Sequence, residues 1–397
     1  MLSSRLASGA LLALLVTWLP ACAQTGASGA AASAPAAAAP DDDDDADTPE
    51  PQMTIEQYEP RSTLVVPEHP VTRARYPFID VHSHQWEMPT QDLPALLAEM
   101  DAMNMGAMVN LSGRLRDSEQ HLRGCIENAR ENAPGRVMVF TNIEFEGIDE
   151  PGWGQRMADQ LAADVALGAV GLKIYKNLGL TALDASGARI PVDDVRLDPV
   201  WTRCGELGVP VLIHTGEPIA FWSPKDRFNE RWLELKQKPQ RYRDPADYPS
   251  WDQVMDETWH MFAKHPGTTF IAAHMSWMAN DLARLGALLD SHPNVVTEIG
   301  AVLYELGRQP RFARAWFERY QDRVLFGKDL YEPSEFPVYF RVLESADEFF
   351  DYYRKRHAHW QMYGLDLPDV VLKKLYYGNA LRVVPGLDAS LYPPLEG

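Results

Sequence analysis

Two histidines separated by one residue, His82 and His84, stand at the end of the apolar run Tyr76-Pro77-Phe78-Ile79-Asp80-Val81. Side chains alternate along a strand with a period of 2, so both imidazoles leave the same face and can reach one metal ion. Neutral imidazole is a good ligand for zinc and related divalent metals. Three further groups stand where later apolar runs end. His214 follows Val211-Leu212-Ile213, His274 follows Phe270-Ile271-Ala272-Ala273, and Asp329 follows Val324-Leu325-Phe326-Gly327-Lys328. Taken singly, each histidine reads as a structural residue, and Asp329 as a helix cap or a partner of Lys328. Their recurrence at successive strand ends points instead to one shared site. A carboxylate there can bind a metal and take a proton from water.

Two more charged residues fall inside apolar strands. Lys173 lies in Gly171-Leu172-Lys173-Ile174-Tyr175, and alternation places it on the same face as Tyr175. A lysine pointing into a protein interior needs a partner. It could contact a substrate carboxylate or leaving group, or form a structural salt bridge. Glu298 lies in Val295-Val296-Thr297-Glu298-Ile299-Gly300. It could contact substrate, accept a hydrogen bond from a ligand histidine, or be purely structural. His357-Ala358-His359 repeats the spelling of the first pair but follows the charged, helical-looking stretch Tyr352-Tyr353-Arg354-Lys355-Arg356. On a helix, residues two apart face about 200° apart, so these are expected to be loop or surface histidines.

The elements that must position these residues are eight strands: 77–81, 107–111, 137–143, 169–175, 210–214, 269–274, 295–299 and 324–326. Helical stretches separate them at 93–104, 118–132, 153–167, 197–207, 251–264, 281–291 and 310–320, with a final helix near 370–377. Several end in a Gly or His-Pro signal, as in Leu207-Gly208-Val209-Pro210 and His292-Pro293-Asn294. Strands alternating with helices over this length predict an α/β fold of the (β/α)8 TIM-barrel type. A doubly wound open sheet is the alternative, disfavoured because no glycine-rich phosphate loop follows the first strand. Two insertions stand out. Residues 217–249 follow the fifth strand and are expected to cover the site, since loops after barrel strands form the catalytic face. Trp222, Arg227, Arg231 and Trp232 on this loop could contact an anion or an aromatic ring, though surface packing is the plainer reading. The second insertion begins at Tyr331.

Before the barrel the sequence changes character. Arg5, the apolar stretch Ala10–Leu19 and the small-residue region Pro20-Ala21-Cys22-Ala23 read as a signal peptide or lipoprotein leader over residues 1–23. Leu19-Pro20-Ala21-Cys22 resembles a lipobox that would lipidate Cys22, whereas Ala21-Cys22-Ala23 is also a site for soluble release. Either way the protein is expected to be exported, to the periplasm or to a membrane as an anchored lipoprotein. Residues 24–60, rich in Ala, Pro and Asp, read as a disordered linker, and residues 61–390 as the barrel domain. The run Asp41–Asp45 reads as solvated spacer rather than a calcium cage. The net charge of −19 argues against nucleic acid as a partner. The remaining cysteines, Cys125 and Cys204, read as two buried thiols, a disulfide having no support from their spacing.

The motifs Asp80-Val81-His82-Ser83-His84, His214-Thr215, Ala273-His274-Met275, Gly327-Lys328-Asp329 and Tyr377-Gly378-Asn379-Ala380-Leu381-Arg382 together resemble the amidohydrolase superfamily. The resemblance is to the amidohydrolase-related branch that includes aminocarboxymuconate semialdehyde decarboxylase, and it covers about residues 78–384. It implies that His82, His84, His214 and Asp329 bind one divalent metal, zinc first and manganese as another choice. It implies that His274, with Asp329, handles the proton of a metal-activated water. Binuclear members of the superfamily carry a carbamylated lysine bridging two metals at the position of Lys173, which adds a third reading for that residue. Many relatives have Thr where this chain has Lys328. The implied activity is metal-dependent hydrolysis of a small molecule with an amide, lactone or ester-like bond. Non-oxidative decarboxylation on the same metal site is the alternative, and an inactive metal-stabilised binding protein is the third.

Overall fold

A computed structural model describes residues 52–115 and 118–395. The expected leader, Cys22 and the Asp41–Asp45 run lie outside the described residues. Residues 52–59 fall in a separate short unit, where a turn is closed by Gln57 N–H donating to Thr54 O at 3.0 Å. Everything from Pro60 onward is one compact unit.

That unit is a (β/α)8 barrel of parallel strands. Its strand segments are β1 (Phe78–Ser83), β2 (Met105–Asn110), β3 (Val137–Val139), β4 (Thr141–Asn142), β5 (Leu172–Ile174), β6 (Val211–Ile213), β7 (Phe270–Ala272), β8 (Val295–Glu298) and β9 (Val324–Leu325). They pair in the order β1-β2-β3 and β4-β5-β6-β7-β8-β9. β3 and β4 are one strand position bent at Phe140, whose N–H donates to Asn110 O at 2.9 Å while Thr141 N–H donates to Gly171 O at 2.9 Å. The ring closes where Val81 N–H donates to Phe326 O at 3.0 Å. Strand segments are buried along nearly their whole length, as parallel strands covered on both faces must be.

The intervening helices form for local reasons. In Trp251–Lys264 the buried residues Trp251, Val254, Met255, Thr258, Trp259, Met261 and Phe262 follow helical spacing, and the Ser250 side chain caps the start by accepting from Gln253 N–H. Ser118 caps Glu119–Asn132 in the same way. Gly208, at φ 66°, ends Asp198–Leu207 in the left-handed conformation that glycine adopts without a Cβ clash. Cys125 and Cys204 are free and buried.

The C-terminal helix differs from its expected extent. It runs as Asp369–Lys373, a π-turn at Lys374–Gly378, and Asn379–Val383. In the π-turn Asn379 N–H donates to Lys374 O, which releases Leu375 O from its usual partner. The released carbonyl accepts from Phe326 N–H at 3.0 Å, and Asn379 Nδ2 donates to Val324 O at 2.8 Å. The Tyr-Gly-Asn-Ala motif therefore clamps the strand that carries Asp329.

The second insertion also departs from expectation. The charged stretch 352–356 is not helical, and Phe350 and Met362 pair instead as an isolated bridge. His357 is buried and His359 exposed, so the first is no surface histidine. Packing against Tyr304 and Tyr352 accounts for its burial. On the long loop, Arg231 is buried against Glu234 rather than displayed, and Trp222 Nε1 donates to Pro249 O at 2.8 Å.

The bend at Phe140 has a steric condition. A Cβ on Gly171 would lie 2.5 Å from Phe140 Cε1, and that ring is fully buried with nowhere to move. Gly171→Ala is expected to lower unfolding free energy by about 1–3 kcal/mol through overpacking. An unchanged urea midpoint would contradict this account.

Candidate metal centre

β1 delivers His82 and His84 to the C-terminal mouth of the barrel, with ring centroids 5.5 Å apart. Asp329 reaches the same point from the loop after β9, and its Oδ1 is 3.4 Å from His82 Nε2. Ligand atoms of His82, His84 and Asp329 all lie within 4.8 Å of one another. Asp329 does not pair with Lys328. The lysine instead donates to Leu330 O at 2.7 Å and Glu335 Oε2 at 2.5 Å. Asp329 sits at φ 88°, a conformation that most side chains avoid, while its N–H donates to His82 O at 2.7 Å.

Hydrogen bonds decide which ring nitrogens are free. His82 Nδ1 is 3.0 Å from Glu298 Oε1, so it carries the proton and leaves a lone pair on Nε2. For His84, Nδ1 is 2.7 Å from Ser112 Oγ. Tyr175 OH donates to Leu111 O and can accept from Ser112 Oγ at 3.1 Å, so Ser112 in turn accepts from His84. That again leaves Nε2 bare. His274 Nδ1 donates to Gly300 O at 2.8 Å, and its Nε2 therefore accepts from His214 Nδ1 at 3.2 Å. His214 Nε2 is left buried with no hydrogen-bond partner among the described residues. A histidine whose outer nitrogen is hydrogen-bonded and whose inner nitrogen is bare is the arrangement that metal ligands require.

The electrostatics agree. Burial, reinforced by Lys173, lowers the His84 pKa to about 3, and burial holds His82 and His214 well below the ordinary histidine range. All three are neutral near pH 7 and ready to donate a lone pair. Burial acts to raise the Asp329 pKa, but the charge of the groups around it, Lys173 among them, outweighs it and holds the carboxyl below the usual aspartate range. The donor set fits a divalent cation with nitrogen and oxygen ligands.

His214 and Lys173 stand outside the compact set of three. His214 packs on His274, with centroids 4.4 Å apart. Lys173 is buried, with Nζ 3.4 Å from His82 Nε2 and 5.6 Å from the centre of the Tyr175 ring. Burial lowers its pKa to about 7. His274, Glu298 and His82 form a second group of potential donors. Glu298 there already accepts from His82 Nδ1 and the His274 backbone N–H, and the His274 ring is committed to Gly300 O and His214, so this group supports the centre rather than offering another. His357 and His359 belong to neither group.

Sequence reasoning passed over Ser112, which lies in a loop with no motif, and the aromatic walls. Trp86 stacks on His84 at 5.2 Å, and Trp277 packs on His274 at 4.5 Å. It also gave no hint that His274, Met275, Ser276 and Trp277 all lie at φ between 52° and 56°. This is a left-handed turn without glycine, costing about 1–2 kcal/mol per residue. Such strain persists only where the surroundings over-determine it, and it concentrates at functional sites.

A family model described as Amidohydrolase matches residues 79–386. The chain belongs to the amidohydrolase family. No curated protein sequence matches it. Among solved structures, an uncharacterized TIM-barrel protein from Bordetella bronchiseptica is 17% identical with a TM-score of 0.49, covering 77% of this chain and 97% of that one. A 4-oxalomesaconate hydratase from Rhodopseudomonas palustris is 14% identical with a TM-score of 0.47, covering 79% and 97%. A dihydroxybenzoic acid decarboxylase from Polaromonas sp. JS666, with bound manganese and 2-nitroresorcinol, is 13% identical with a TM-score of 0.48, covering 78% and 96%.

Within this amidohydrolase, Ser112 and His84 give a direct test of the ligand geometry. His84→Ala is expected to abolish retention of zinc after dialysis, and Ser112→Ala to weaken zinc binding by about tenfold or more. Elemental analysis and a chelator competition would measure both. Wild-type zinc retention in His84→Ala would remove that residue from the ligand set.

Proposed function

We propose that this amidohydrolase is a metal-dependent hydrolase of small molecules carrying an amide, lactone or ester-like bond. His82, His84, His214 and Asp329 would hold one divalent ion, zinc first. When bound, such an ion polarises the scissile group and lowers the pKa of water toward about 7. The observation that carries this reading is the ionised Asp329, 3.4 Å from His82 Nε2 and with its side chain 30% exposed to the mouth. Among the described residues it is the one anionic group that both meets the ligand histidines and can be reached by water. Asp329 takes the proton of the attacking water. His274, whose Nδ1–H is fixed on Gly300 O, accepts at Nε2 from His214 Nδ1 and so orients that ring and can take up its proton. Trp86 and Tyr175 flank His84 and offer flat faces to a planar part of the substrate.

Lys173 favours a second reading. A buried ammonium 3.4 Å from His82 Nε2 could receive a substrate carboxylate, as non-oxidative decarboxylation on this site would need. Product analysis in ¹⁸O-water on a substrate found by screening separates the two. Hydrolysis puts the label into product, whereas carbon dioxide release without label supports decarboxylation. Asp329→Asn is expected to lower kcat by roughly 10²–10⁴-fold, and unchanged turnover would exclude it as the proton acceptor. For the metal count, one ion per chain with Lys173→Ala still loading it removes the carbamylated bridge. Two ions per chain would support it.

A further inference from the structure

Glu298, at the end of β8, is fully buried, and among the described residues no lysine or arginine forms an ion pair with it. Both of its oxygens nevertheless accept hydrogen bonds. Oε1 accepts from His82 Nδ1 at 3.0 Å and from the His274 backbone N–H at 2.6 Å. Oε2 accepts from Gly300 N–H at 2.5 Å. The space around it is shaped for a carboxylate. A Cβ on Gly300 would lie 2.7 Å from Oε2, and one on Gly327 would also collide with it.

These contacts join two different demands. By accepting from His82 Nδ1, the carboxylate favours the Nδ1–H tautomer and leaves a lone pair on Nε2, which lies 3.4 Å from Asp329 Oδ1 and 3.4 Å from Lys173 Nζ. The same oxygen grips the first residue of the left-handed turn from His274 to Trp277. That grip helps hold the His274 ring stacked on His82, with centroids 4.8 Å apart and planes 30° from parallel. An apolar side chain could fill the volume without the cost of burying a charge. It could supply neither the tautomer nor the anchor.

We propose that Glu298 is the positioning residue of the centre: one carboxylate that sets both the tautomer of His82 and the left-handed placement of His274. The inference rests on the proposed metal reading, and its test separates the two. Glu298→Met nearly keeps the volume but offers no oxygen acceptor to His82, His274 or Gly300. Glu298→Ala removes both acceptors. In metal-free protein with ¹⁵N-labelled histidine, wild-type His82 is expected to show the Nδ1–H tautomer, and the variants a shift toward Nε2–H. Zinc affinity, measured by competition with a chromophoric chelator, is expected to fall by about 10–100-fold. The His274 amide is expected to lose hydrogen-exchange protection while the thermal transition stays cooperative.

An unchanged His82 tautomer in a folded variant overturns the proposal, as does zinc affinity within about twofold of wild type. If Glu298→Ala does not fold, Glu298→Met decides. If wild-type protein binds no zinc, the metal reading fails, and the tautomer and exchange measurements still decide the role of Glu298.

Discussion

The site depends on the closure of the barrel. β1 and the strand that carries Asp329 are about 250 residues apart in the chain, and only their pairing brings His82 to Asp329. Backbone bonds make the seam, from Val81 N–H to Phe326 O and from Asp329 N–H to His82 O. A buried side chain reinforces it, since Asp80 Oδ1 accepts from both His82 N–H at 3.0 Å and Lys328 N–H at 3.1 Å. Burial raises the Asp80 pKa to about 7, a sign of how little water reaches the seam. The C-terminal helix locks the other side of the same strand through Leu375 O and Asn379 Nδ2. A residue that looks like part of a catalytic motif, Asp80, thus serves the geometry of the ligands rather than the chemistry itself.

Around that seam the centre is built from neutral imidazoles. A buried histidine loses its proton readily because its charged form is poorly solvated, and the neighbouring Lys173 adds to the effect. Neutrality alone does not make a ligand, because the lone pair must also point inward. Glu298, Ser112 and His274 each take the outer N–H of one ring, His82, His84 and His214 in turn, and leave a lone pair on its other nitrogen. The ionised Asp329 then supplies the negative charge that a divalent cation needs nearby.

The two insertions hold the mouth from either side by different means. The loop at 217–249 is anchored by ion pairs, with Glu217 joining Lys176 to Arg243 and Glu234 joining Arg231 to Arg241. The later insertion packs aromatic rings, Tyr352 and Tyr353 among them, and links Arg354 through Glu335 to Lys328. Lys328 is thereby drawn away from Asp329, leaving the carboxylate unpaired by any lysine of its own loop. Loops of this kind vary without disturbing a barrel, so they are where substrate preference is expected to reside.

The sequence by itself determined the alternation of strands and helices, the barrel class and the strand-end placement of His82, His84, His214, His274 and Asp329. Those features are local: a period of 2 along a strand, helical spacing of apolar residues, and turn residues at the ends. The family resemblance was also legible, because its motifs are short and contiguous. Only the tertiary structure decided which nitrogen each histidine leaves bare, since the partners of His82 and His84 come from other strands and loops, Glu298 being 216 residues away. It alone decided that His274 begins a left-handed turn, which no propensity of Ala-His-Met-Ser-Trp predicts and which exists because neighbours over-determine it. It also separated the two His-x-His pairs. The same spelling yields a converging pair on a buried strand, and a buried and an exposed residue in an irregular loop, because direction is set by the backbone and not by the letters.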